Sequence, residues 1–220
     1  MLEEGQIEMS NFYDGARVLT AQTQHNNGFT YFAAYYGFAS APTLVNSRYA
    51  YWIGLSAGWV FQPVMIWNGP SPAIQNVAFL QNQPEQMVPE TPKPIPLGTA
   101  VWGIIQYLGK AKAAWTIDTY FGTPAGPTTK AIPTLTMPND PTGQTYGIMK
   151  TAVCVKERLD SNGSCSNENT HGVFGGLALK AGKNFVPVKW RGYVQDNECH
   201  PSIHITNPTL NPNCQVDFYN

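Results

Sequence analysis

Glycine and proline interrupt this chain so often that no window of about eleven residues carries apolar side chains at the i, i+3, i+4 spacing of an amphipathic helix. Between the interruptions lie short runs rich in aromatic and β-branched residues, which suit a pleated strand better than a helix. The most telling run is Tyr49-Ala-Tyr-Trp-Ile-Gly-Leu-Ser-Ala-Gly-Trp-Val-Phe-Gln-Pro-Val-Met-Ile-Trp67. Two strand-like segments flank Ser56-Ala-Gly58, which reads as a hairpin turn, and their aromatic residues surround a single amide, Gln62.

Further strands are expected at Phe29 to Phe38, Thr99 to Leu108, Ala113 to Gly122, Gln144 to Lys156, Gly172 to Leu179, Val186 to Val194, Ile203 to Thr206 and Cys214 to Tyr219. Residues 1–10 read as a polar arm. Residues 68–98 contain Pro70, Pro72, Pro84, Pro89, Pro92, Pro94 and Pro96, which lack ladder donors, so a long Pro-rich loop or insertion is expected there, with room for a short strand at Ala73 to Leu80. Many strands with this much aromatic surface require two faces to pack together. The expectation is a single all-β domain over residues 1–220, a two-sheet antiparallel β-sandwich of jelly-roll or concanavalin-A-like type.

Charged residues are only 12% of the chain, about half the usual share. A formal net charge of −1 leaves no basic cluster to displace counterions, so neither nucleic acid nor an anionic membrane surface is an expected partner. No apolar run approaches the roughly 18 residues of a membrane span. The first residues, Met-Leu-Glu-Glu-Gly-Gln, lack a basic and then apolar leader, so any export signal lies outside this numbering.

Cys154, Cys165, Cys199 and Cys214 all fall in the last third of the chain. No pair has the short spacing of a zinc site, and the intervals suit hairpin-closing bridges, Cys154 to Cys165 and Cys199 to Cys214, ahead of the crossed pairings. Each would stabilise the fold by about 3 kcal/mol in the chain-entropy picture. Disulfides imply an oxidising compartment, so a secreted or cell-surface protein is expected. Asn162-Gly-Ser164 is a glycosylation sequon, usable in a eukaryotic source.

Chemistry-bearing clusters are sparse. His200 and His204 would share one face of a strand, but about 13 Å apart, too far for one ion. Asp118, Asp140, Glu157, Asp160 and Asp196 form no calcium-loop pattern and read as solvated turn residues. Ser56, Ser71 and Ser164 lack a nucleophile-elbow context. No metal or cofactor is expected. The aromatic residues mostly serve the core, but a subset must face outward, and rings with a polar edge are what saccharides and extended peptides stack upon.

Tyr51-Trp-Ile-Gly-Leu55, Phe61-Gln-Pro-Val-Met-Ile-Trp67, Trp102-Gly-Ile-Ile-Gln-Tyr107 and Pro141-Thr-Gly-Gln-Thr-Tyr-Gly-Ile-Met149 together resemble the glutamic peptidases, or eqolisins, and their non-catalytic relatives. The resemblance implies a concanavalin-A-like sandwich in which Gln62 takes the place of the glutamine that steadies the oxyanion. The family's general-base glutamate would fall at Lys189, within Val188-Lys-Trp190. A lysine there is already protonated at acid pH and accepts no proton. The resemblance therefore implies a relative without the catalytic dyad.

The reading that follows is a secreted, non-enzymatic protein binding saccharide or cell-wall material through an aromatic groove of Trp52, Gln62, Trp67 and Trp102. One alternative is a glutamic-peptidase-like hydrolase using Gln62 with Glu157 or Glu198. The other is a self-associating subunit of an extracellular assembly.

Overall fold

The computed structural model describes residues 12–18, 28–38, 41, 48–57, 60–68, 70–79, 85–109, 112, 114–138, 149–158, 171–194 and 202–219. They form strands β1 Phe12–Val18, β2 Tyr31–Phe38, β3 Arg48–Ser56, β4 Val60–Asn68, β5 Pro72–Phe79, β6 Gln86–Pro94, β7 Ala100–Tyr107 and β8 Ala114–Thr123. There follow β9 Gly126–Lys130, β10 Leu135–Pro138, β11 Thr151–Arg158, β12 Gly172–Ala181, β13 Asn184–Phe185, β14 Trp190–Val194, β15 Ser202–Thr206 and β16 Cys214–Tyr219. Among the described residues there is no helix.

The strands build two antiparallel sheets, as a sandwich requires. A seven-stranded sheet runs β14-β1-β11-β3-β4-β5-β6. A nine-stranded sheet runs β10-β8-β7-β2-β12-β16-β15, with β13 on β12 and β9 on β8. Period-two alternation sends one set of side chains from each strand into the space between the sheets. From β2 these are Phe32, Ala34, Tyr36 and Phe38; from β3, Tyr49, Tyr51, Ile53 and Leu55; from β12 and β16, Phe174 and Phe218. Edge-to-face contacts dominate, with the Phe38 and Tyr51 ring centroids 4.5 Å apart and Phe174 and Phe218 5.7 Å apart. The Tyr36 hydroxyl crosses the sandwich to donate to the Pro63 carbonyl at 2.7 Å. Gly172 is required by close approach, since a Cβ there would lie 2.2 Å from the Tyr51 ring.

Within residues 68–98 the expected short strand at Ala73 to Leu80 is present as β5, and the departure from a Pro-rich loop is the further strand β6. β6 is the edge of its sheet, so Pro89, Pro92 and Pro94 can sit where ladder donors are needed on one side only. The β5–β6 register shifts between Ile74 and Asn76, and the Gln75 side-chain amide donates to the Pro89 and Glu90 carbonyls at 2.7 and 3.2 Å. That side chain holds the irregular edge where the ladder breaks.

The expected bridges Cys154–Cys165 and Cys199–Cys214 are not formed at either described cysteine: Cys154 and Cys214 are free, buried thiols. The expectation assumed that β11 and β12 form a hairpin whose base a disulfide would pin. Instead β11 pairs β1 and β3 in one sheet, while β12 pairs β2 and β16 in the other. Both thiols belong to the core, one from each sheet. Burial, and then the neighbouring Cys214, hold the Cys154 thiol well above its ordinary pKa, and burial pushes Cys214 up to about 12. Cys165, Cys199, the arm at 1–10 and the sequon at Asn162 lie outside the described residues.

Candidate functional site

Each sheet also presents an outer face, away from the core. On the seven-stranded sheet this face carries a second apolar cluster of Ala50, Trp52, Val60, Val64, Val77 and Val155. Gln62 stands among them, since it alternates with Phe61 on β4 and shares its parity with Val60 and Val64. It is 5% exposed, and its Oε1 has no hydrogen-bond partner. A buried acceptor in that condition is costly, and such atoms concentrate at functional sites.

The register fixes what surrounds this amide. Gln62 lies opposite Val77 on β5, and the Trp52–Val64 and Leu55–Phe61 pairs bring Gly54 level with it on β3. Gly54 pairs in turn with Val153 on β11. The row across the sheet is therefore Val153, Gly54, Gln62, Val77. The Trp52 ring and Val153 fill the space over Gly54, because a Cβ there would lie 2.8 Å from the ring and 3.3 Å from Val153. Beyond Gly54, about 10 Å from Gln62 between Cα atoms, the next strand adds one more position to the row. Val153 occupies that position.

Lys189, the position that the resemblance assigns to the glutamate, lies outside this row. Lys189 is exposed and precedes β14, which pairs β1 at the far edge of the sheet. It stands nowhere near the Gln62 row. Glu157 does share the outer face, but it lies four residues along β11 from Val153, about 13 Å at the usual strand rise. It is 6% exposed and accepts a hydrogen bond from Trp52 Nε1 at 2.9 Å. Glu198, the other acid considered, lies outside the described residues, as do Asp140, Asp160, Asp196 and His200. His204 is exposed on the edge strand β15, opposite Asp217. Among the described residues, no group of three potential metal ligands occurs.

The four residues expected to line one groove are distributed over three places. Trp52 and Gln62 share the outer face of the seven-stranded sheet. Trp67 points inward, 5.7 Å between ring centroids from Phe38, and belongs to the core. Trp102 lies on the outer face of the nine-stranded sheet, because its neighbours Val101 and Gly103 face inward.

Around Trp102 the register assembles a row that one-dimensional reading could not find. Gly175, Tyr35, Trp102, Tyr120 and Lys130 stand opposite one another in turn on β12, β2, β7, β8 and β9. Tyr35 and Trp102 have ring centroids 5.9 Å apart, and the Lys130 ammonium lies 5.5 Å above the Tyr120 ring. Two glycines make room for the indole: a Cβ on Gly122 of β8 would lie 2.7 Å from one end of it, and a Cβ on Gly176 of β12 would lie 2.9 Å from the other. Trp102 therefore lies along the sheet and does not stand away from it. Its Nε1 donates to the Thr123 carbonyl at 2.8 Å, which holds that pose. Gly176 is the extra residue of a β12 bulge and takes φ +62°, a conformation glycine adopts freely. Gly175, opposite Tyr35, has open space where a side chain would be.

A second aromatic group lies on the same face, one row set further along β2. Lys180 pairs with Tyr31 on one side and Phe185 on the other. Its ammonium sits 4.7 Å from the Tyr31 ring and 4.8 Å from the Phe185 ring. Burial, and then Tyr120, raise the Tyr31 phenol above its ordinary pKa. Between them lie small or short side chains, Ala178, Ala33 and Ile104, paired in sequence across β12, β2 and β7. Beyond Ile104, Asp118 binds Lys130 at 2.8 Å and accepts from Thr134 at 2.6 Å, and Lys130 also contacts Thr134.

No family model matches the sequence, and no curated protein matches it. Solved structures do. A scytalido-glutamic peptidase in complex with a transition-state analog inhibitor superimposes with a TM-score of 0.65, covering 96% of this chain and 99% of that one at 12% identity. The fold is that of the glutamic peptidases. SCP-B, a member of the eqolisin family of peptidases in a complex with the tripeptide Ala-Ile-His, agrees at a TM-score of 0.62, 96% and 99% coverage, and 11% identity. The CBM2 module of an evolved Dit protein of Lactobacillus casei BL23 phage J-1 matches at a TM-score of 0.42 and 8% identity, a level that carries no argument. The expected resemblance thus holds for the architecture over nearly the whole chain. At these identities it speaks for the fold alone.

Proposed function

We propose that this protein is a non-enzymatic β-sandwich that binds an extracellular saccharide polymer through the outer face of its nine-stranded sheet. The observation that carries the reading is the in-register row Tyr35, Trp102, Tyr120, with the indole laid along the sheet between Gly122 and Gly176. Partly exposed rings fixed side by side offer sugar rings an apolar face at little conformational cost, and the polar groups at their margins suit hydroxyls. Among the described residues, the Gln62 row of Val153, Gly54 and Val77 holds no carboxylate, and this favours binding over hydrolysis, because a glutamine alone is no general base. A secreted or cell-surface location is part of the proposal and agrees with a polymer ligand.

Affinity electrophoresis through gels containing plant, fungal or bacterial wall polysaccharides tests it. Retardation by at least one polymer that is lost in Trp102→Ala, with the variant's melting temperature within a few degrees of the parent, is the expected result. Unretarded migration in every polymer overturns it.

One observation favours a second reading, a hydrolase of glutamic-peptidase type: the Gln62 Oε1 is buried and unpartnered. Cleavage of denatured casein at acid pH that disappears in Gln62→Ala would establish that reading and displace the first.

A further inference from the structure

The same face says which saccharides it should prefer. Resting on the proposed saccharide-binding face, we infer that the polymer is acidic, a uronate or sulfated chain, and that Lys180 is the residue that reads its charge.

The two lysines of the face differ in how they are satisfied. Lys130 is neutralised by Asp118 at 2.8 Å, and that hydrogen bond raises its pKa, so its charge is already spent within the protein. Lys180 has no carboxylate partner among the described residues; its contacts are the Tyr31 and Phe185 rings. Flanking rings stabilise a cation by their quadrupoles and hold its chain in place, yet leave its N–H donors unused. A rigidly presented ammonium with free donors, beside an aromatic platform, is suited to a carboxylate or sulfate on a sugar whose neighbours stack on the rings. A charged partner also makes a stronger hydrogen bond than a hydroxyl does.

The arrangement along the face fits a chain more than a single sugar. Tyr31 and Tyr35 are four residues apart on β2, so the Lys180 group and the Trp102 row are separated by about 13 Å. The intervening Ala33 and Ala178 are short side chains, both buried beneath their larger neighbours. A polymer lying across β2 can stack at Trp102 and present an acidic substituent at Lys180 at once. Asp118 lies on the same face but is engaged with Lys130 and Thr134, and Asp217 is engaged by Gln215 at 3.0 and 3.1 Å. Asp118 is balanced by Lys130, and Asp217 keeps its charge but pairs with Val173, seven residues along β12 and roughly 23 Å from Lys180.

The test uses the full chain in affinity electrophoresis and titration calorimetry against polygalacturonate, a sulfated galactan and a neutral β-glucan at low and high salt. The expected result is tighter binding of the two acidic polymers, weakening with salt, and a loss of about tenfold in that preference for Lys180→Gln. Lys180→Arg keeps the preference, and the double substitution Lys130→Gln with Asp118→Asn, which removes the ion pair whole, changes it little. Equal binding of neutral and acidic polymers, or an unchanged acidic preference in Lys180→Gln, overturns the inference while leaving the saccharide reading standing. Binding to none of the three polymers, with none to any other wall polysaccharide, removes both.

Discussion

Replacing Gln62 by methionine should make this protein more stable. Gln62 is 5% exposed on the outer face of the seven-stranded sheet, among Trp52, Val60, Val64 and Val77, and its Oε1 has no donor. A buried acceptor left without a hydrogen bond costs about 1–3 kcal/mol relative to its hydration in the unfolded chain. Methionine has nearly the same length, adapts its unbranched chain to the same space and buries no oxygen. The expected gain is therefore about 1–3 kcal/mol, and for a chain of this size each kcal/mol moves the melting temperature by about 2–4 °C. Differential scanning calorimetry should report a rise of between about 2 and 12 °C. Urea unfolding should show a higher midpoint with an unchanged m-value. Because the two candidate faces lie on opposite sides of the sandwich, polysaccharide binding at Trp102 should be unaffected. A variant that melts below the parent would show that the amide is satisfied in solution and would refute the reasoning.

Tyr36→Phe removes the hydroxyl that donates to Pro63 across the core and should cost about 1–3 kcal/mol in urea unfolding, with no change in polymer binding. Gly103→Ala would place a Cβ 2.5 Å from the Pro63 ring and 2.9 Å from Tyr36, so overpacking should lower stability by about 1–3 kcal/mol or more, read from the melting temperature. The Cys214 thiol, pushed up to about 12, and Cys154, also raised, should resist alkylation in the native protein at pH 8 and react once it is denatured without reductant. Since the unfolded thiols lose their protons near pH 8.5 and the folded ones do not, stability should be full below that pH. It should then fall as pH rises toward about 12, as pH-dependent calorimetry would record. Detection of either cysteine in a disulfide in the purified protein would contradict the structure.

Much of the fold can be read along the chain. The runs at Phe29 to Phe38, Tyr49 to Trp67, Thr99 to Leu108 and Cys214 to Tyr219 coincide with β2, β3, β4, β7 and β16 because apolar alternation and turn residues act locally. The reading failed where a non-local context decided. Prolines argued for a loop at 68–98, but an edge position tolerates them in β6. Adjacent strands β11 and β12 suggested a hairpin, but they are divided between the sheets, and the expected Cys154–Cys165 bridge went with it.

The candidate site divides along the same line. Gln62 and Trp102 stand out in one dimension as a polar atom among aromatics and as a ring in a strand. Tyr35, Tyr120, Gly176 and Lys180 carry no comparable local signal, and only pairing across β12, β2, β7 and β8 brings them together. Val153 is likewise an unremarked apolar residue until its register with Gly54 sets it in the Gln62 row.

By itself the sequence determined an all-β sandwich, because strand propensity, turn chemistry and period-two alternation are properties of neighbouring residues, while its resemblance to the glutamic peptidases lay in the motifs around Gln62 and Trp102. Which strands share a sheet, and therefore which side chains share a face, was decided by the tertiary structure alone. A strand contributes to a site only as one line of a two-dimensional surface, and register between lines distant in sequence is set by how the whole sandwich packs.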